Sequence, residues 1–85
     1  MAEICWTSYQ RSHIEVGHGI TESEFAEAWH DPGREDLAEG MHGENGPYTK
    51  SLGSTELGRL IEMVWRWQYG QEFEVVWPIT AYEVE

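Results

Sequence analysis

The chain has a single cysteine, Cys5, among 85 residues. No disulfide can form within it, and no cysteine cluster marks a structural zinc site. That usage suits a reducing compartment, so a cytoplasmic protein is expected. No apolar run of roughly 18 residues is present, and no charged segment leads into an apolar stretch near Met1. Neither a membrane span nor a secretory leader is therefore expected. Positive charge is the scarcest commodity: five Lys and Arg stand against sixteen Asp and Glu, a formal net charge of −11. Phosphate backbones are bound by neutralising them with Lys and Arg. Tight nucleic-acid binding over a broad surface is excluded, although five basic residues converging on one spot can still handle a phosphodiester. The surplus acid either keeps the chain soluble or meets a cationic partner.

Aromatic rings are abundant: five Trp, four Tyr and two Phe. Each buried ring removes about 150–250 Å² from water, which compensates for the modest core of a single short domain. Six of the rings fall between residues 65 and 82, so the C-terminal half is predicted to build most of the core.

Residues 3–8 read as a short strand with Ile4 and Trp6 on one face. Arg11 to Val16 reads as a short helix ended by Gly17 and Gly19. A second helix begins at Thr21, with Glu24 completing a capping box and Ile20 and Phe25 at the positions of a hydrophobic staple. Phe25, Ala28 and Trp29 form its apolar face, and Asp31, Pro32 and Gly33 stop it. Residues 33–47 are predicted to be loop, with a short edge strand around Asp36 to Ala38. After Pro47 three strands separated by short turns suggest an antiparallel meander. In the middle strand Ile61, Met63, Trp65 and Trp67 share one face, and Leu60, Glu62, Val64 and Arg66 the other. Pro78 puts its part of the last strand at an edge or a bulge. The expected fold is a single α+β domain over residues 1–85. An N-terminal strand and two short helices pack on a three- to four-stranded antiparallel sheet.

These stretches resemble the BrnT family, small toxins of type II toxin–antitoxin pairs with a RelE-like ribonuclease fold. "HIEVGHGITESEFAEAWHDP" resembles the family's "KHGVS" followed by an acidic, aromatic helix and a "DP". "YTKSLGSTELGRLIEMVW" resembles its hairpin, where a strand ending "IG" leads through "T..GR" into an apolar strand. "VVWPITAY" stands where the family has a strand of the type "RIISAR". The resemblance runs from residue 4 to about residue 82. It implies a RelE-like domain that cleaves RNA without metal or cofactor, held inactive by a ribbon-helix-helix-like antitoxin. Basic positions differ in three of its motifs: Tyr82 stands for an arginine, Val76 and Trp77 for strand arginines, and Gly17 for a lysine.

Metal-free RNA cleavage requires a base for the 2′-OH, an acid for the leaving 5′-oxygen and cations for the phosphorane. Histidine as a residue type suits both proton roles. His18 matches the family's "HG" position, and Lys50, Arg59 and Arg66 are the cationic candidates. Tyr82, at the family's arginine position, completes the catalytic set. His13, Trp67 and Trp77 are candidates for holding RNA, the tryptophans by stacking a splayed base. Arg59 and Arg66 are seven residues apart and fall on opposite faces of an unbroken strand. His13 and His18 are five apart, which on an α-helix separates them by about 140°, so they are not read as a metal pair. His30 and Asp31, next to an acidic loop with His42, could bind a divalent ion only by chance, and no functional metal site is expected. Cys5 has no base near it in sequence.

The same residues also have structural readings. His18 suits a helix C-cap, the tryptophans suit a core, and Lys50, Arg59 and Arg66 suit surface pairing with Glu56, Glu62 and Glu74. The alternative function is a non-catalytic acidic relative of the same fold. It would act as a module binding a basic protein, or as a nucleic-acid mimic.

Overall fold

The computed structural model describes residues 2–85. In chain order its elements begin with β1 (Glu3–Ile4), α1 (Ser8–Gln10) running directly into a π-helical segment (Arg11–Val16), and α2 (Glu22–Trp29). β2 (Glu35–His42), β3 (Gly46–Ser54), β4 (Leu60–Trp67) and β5 (Val75–Glu83) follow. The α+β class is as expected, but the sheet has five strands, ordered β1-β5-β4-β3-β2. It is mixed, because β1 runs parallel to β5 while the other three pairings are antiparallel.

The additional strand lies in the stretch read as loop. β2 is exposed along its length except at Gly40, so it has no apolar alternation to announce it. Its order comes from backbone pairing with β3 over Glu35↔Leu52 to His42↔Gly46, interrupted by a bulge at Leu37. Gly40 is not a loop glycine. The phenol of Tyr48 lies across it, in the space a Cβ would take.

Alternation in β4 holds as predicted: Ile61, Met63 and Trp65 are buried. They meet Ile14, Ile20, Phe25, Ala28, Val76 and Ala81 in one core. α2 packs on this inner face. Its capping box is formed, with Thr21 Oγ1 accepting from the Glu24 N–H and Glu24 Oε1 accepting from the Thr21 N–H. Both staple residues, Ile20 and Phe25, are fully buried. At Gly53 the backbone of β3 runs so close to the Ala28 carbonyl that a Cβ there would overlap it. The Asp31 carboxylate accepts from the Gly33 and Ser54 N–H groups at 2.9 Å each, tying the end of α2 to β3.

β1 covers only the first residues of β5, at Val75 and Val76. Farther along, α1 takes the place of a neighbouring strand. Thr7 caps it reciprocally with Gln10, whose Nε2 donates to the Pro78 carbonyl at 3.2 Å. The Tyr9 hydroxyl donates to the Ile79 carbonyl at 3.2 Å. Pro78 sits at a bulge, where the register jumps from Val64↔Thr80 to Trp65↔Pro78. The face of the sheet opposite α2 has no helix laid across it, and α1 with the π segment borders it along β5.

Candidate functional site

The local geometry of Arg11–Val16 decides where the histidines go. An α-helix would turn His13 and His18 away from each other. The π-helical hydrogen-bond pattern, i to i+5, adds a residue to the turn and swings residue i+5 back toward residue i. The two imidazoles stand edge-to-face with ring centres 5.5 Å apart, which corrects the expectation that they point apart. Tyr9, one turn earlier, stacks on His13 at 5.7 Å and on Trp77 at 6.1 Å. His18 has Tyr82 beside it at 6.3 Å. Trp77, Tyr9, His13, His18 and Tyr82 thus form a continuous line of rings along the border of the open face.

Lys50, Val64 and Thr80 are cross-strand partners and share that face. They floor a cavity of about 520 Å³ whose sides are Tyr9, His13 and Tyr48. His42 and Glu44 close it from the β2–β3 turn. Two residues beyond Val64 on the same face, the Arg66 guanidinium lies 4.2 Å from the Tyr69 ring and 5.1 Å from that of Trp77. It donates to the Trp67 carbonyl at 3.0 Å, while its Nε is buried without a partner. Neither Lys50 nor Arg66 is in an ion pair among the described residues.

Of the residues singled out from the sequence, the fold brings His13, His18, Lys50, Arg66, Trp77 and Tyr82 to this one face. It does not bring Arg59 or Trp67 there. Arg59 lies at the end of the inner face, paired with Glu24 and with Glu83 at 3.0 Å. These carboxylates hold its guanidinium more firmly charged than usual, Glu83 foremost. Glu24 is held below the ordinary carboxylate range, first by the Thr21 N–H and then by Arg59. The bulge that realigns the sheet belongs to β5, so β4 stays unbroken and Arg59 and Arg66 do face opposite sides. Trp67 is half-buried among Trp29, Trp65 and Phe73, with ring centres 5.1–5.9 Å away. Burial pushes the Cys5 thiol up, against the pull of the Arg66 charge.

Tyr9, His42, Tyr48 and Thr80 belong to the site and escaped the sequence reading. Tyr9 could have been found, since it precedes His13 by one helical turn. So could Tyr48, which stands two residues before Lys50 in the predicted strand, but His42 could not, because its placement depends on the unannounced β2–β3 hairpin.

Among the described residues no group of three or more His, Cys, Asp or Glu is arranged to hold a metal ion. Among these described residues no helix is long and apolar enough to cross a membrane. Compared with known proteins, the chain matches no family model, no curated sequence and no solved structure. The chemistry must therefore be read from the site. Two imidazoles side by side can accept and donate protons, an ammonium faces the same cavity, and exposed rings offer flat surfaces.

Proposed function

We propose that the open face binds single-stranded RNA and cleaves it without a metal ion, as a BrnT-like toxin of the RelE type would. A ribbon-helix-helix-like antitoxin or another basic protein would be its partner. The observation that carries this reading is the pairing of His13 with His18 beside the Lys50 cavity. His13, which borders the cavity, takes the proton of the 2′-OH as its oxygen attacks the adjacent phosphorus. His18 gives a proton to the leaving 5′-oxygen, so the products are a 2′,3′-cyclic phosphate and a 5′-hydroxyl. The Lys50 ammonium offsets the charge of the phosphorane, and Arg66 meets a neighbouring phosphate. Tyr82 orients His18, and Trp77 with Tyr9 stacks an unpaired base.

The test is an all-RNA oligonucleotide incubated with the protein in a chelator, beside the same sequence carrying 2′-deoxy sugars. Cleavage of the RNA to cyclic phosphate ends, with the deoxy strand intact and activity lost in His18→Ala and Lys50→Ala, is the expected result. An inert protein that also fails to arrest growth when expressed in bacteria would overturn the reading.

A second reading, a non-catalytic module for a basic protein, is favoured by the charge distribution. Arg34 and Arg59 are already committed to Asp36, Glu24 and Glu83, so the remaining carboxylates outnumber the remaining cations heavily. Binding that weakens steeply with salt supports it, and salt-insensitive binding contradicts it.

A further inference from the structure

The last pair joining β3 to β4 is Thr49↔Trp65. Beyond it β2 and β3 stay paired as far as His42↔Gly46, and β4 and β5 as far as Trp67↔Val76. The sheet therefore splits into two ribbons, and the cleft between them is a cavity of about 490 Å³. Its walls are aromatic: Tyr48 from one ribbon, and Trp67, Tyr69 and Phe73 from the other. The Tyr69 hydroxyl reaches across and donates to the Asn45 carbonyl at 2.9 Å. Two carboxylates, Glu39 and Glu72, complete the lining, and neither is in an ion pair among the described residues.

Phe73 is held there against its backbone preference. Its φ is 69°, the sole positive value at a non-glycine among the described residues. For a bulky residue that conformation is costly. Burial does not offset the cost, because Phe73 is 80% exposed. What the conformation achieves is a ring turned toward Trp67 at 5.3 Å, forming the outer wall of the cleft.

We propose that this cleft receives an arginine side chain from a basic partner protein. Flat rings take a guanidinium by stacking. Two free carboxylates match its planar array of N–H donors better than they match a point charge. The fold already makes such stacks internally, with Arg34 4.2 Å from the Trp29 ring and Arg66 4.2 Å from that of Tyr69. Arg66 lines the cleft too, but one cation is outweighed by Glu39 and Glu72. The net charge of −11 draws a basic partner in. The cleft is built without His13 or His18, so it stands whether or not RNA is cut. It rests on the binding-module reading only for the existence of a basic partner.

A fluorescein-labelled peptide of alternating Arg and Gly is titrated with the full chain and followed by anisotropy, with a Lys and Gly peptide alongside. Phe73→Gly removes the wall and relieves the backbone, so its melting temperature should not fall. Saturable binding of the Arg peptide, tighter than that of the Lys peptide, is expected. Phe73→Gly and Glu72→Gln should each weaken it about five-fold or more, the equivalent of roughly 1 kcal/mol. Glu22→Gln removes the same charge from α2 and should change it less than about two-fold. Equal losses in Glu72→Gln and Glu22→Gln, wild-type binding by Phe73→Gly, or no saturable binding would each overturn the proposal. None of these outcomes reads RNA cleavage, so failure here leaves the histidine site untouched.

Discussion

His18 stands edge-on to His13, ring centres 5.5 Å apart, although five residues separate them in the chain. The π-helical segment makes them neighbours at this spacing, and adding one residue to it should part them. Val16 is exposed and lies inside that segment. Inserting an alanine after it turns His18 by about 100° about the helix axis. RNA cleavage should fall about 100-fold or more, while circular dichroism still shows a cooperative melt. Cleavage at the wild-type rate by a folded insertion variant would show that the rings do not act together.

Two glycines should respond very differently to the same methyl group. At Gly53 the new Cβ overlaps the Ala28 carbonyl, a backbone atom of α2 that cannot step aside. Gly53→Ala should cost about 1–3 kcal/mol, seen as a melting temperature lower by about 4–8 °C for each of those kcal/mol. At Gly40 the obstacle is the far end of the Tyr48 side chain, which can swing. Gly40→Ala should melt within a few degrees of wild type but perturb the cavity that Tyr48 lines.

Acid should weaken the fold through two carboxylates. Asp31 is held below its usual range by the Gly33 and Ser54 N–H groups, and Glu24 by the Thr21 N–H and then Arg59. A lowered folded-state value means the stabilisation is complete above the ordinary carboxylate range, near pH 4. It is lost as pH falls through the folded-state values. Urea midpoints should drop between pH 5 and pH 2–3 in the wild type. Asp31→Asn and Glu24→Gln should each start less stable at neutral pH and lose less on acidification.

Arg59 bridges Glu24 and Glu83 at the end of the inner face and also donates to the Gly19 carbonyl at 3.4 Å. Arg59→Ala should lower the melting temperature by a few degrees, as fits a partly exposed ion-pair network. RNA cleavage per folded molecule should be unchanged. A large loss of cleavage with normal melting would return Arg59 to the site.

The parts of the fold legible in the sequence are those whose side chains are sorted by burial. α2 shows in its Thr21–Glu24 box and in the Phe25, Ala28, Trp29 stripe, and β4 in its alternation from Leu60 to Trp67. β2 is silent because both its faces meet solvent, so nothing in Glu35–His42 had to alternate. The fifth strand and the side of the cavity closed by His42 went unseen with it. For the candidate site, Lys50 on β3 and Val64 with Arg66 on β4 could be placed by counting along strands, whereas Trp77 and Tyr82, five apart, share a face only because of the bulge at Pro78. The approach of His13 to His18 could not be read either, since no propensity separates a π turn from an α turn over six residues.

The short β1 has a consequence for association. Together with α1 it closes the outer side of β5, so β2 is the one long strand edge left free. A sheet that can grow from one side only can join a single neighbour through backbone pairing, and growth stops at two copies instead of continuing into a fibre. Glu35, Asp36 and Glu39 on that edge set like charge against like when two copies meet, which disfavours even the first step.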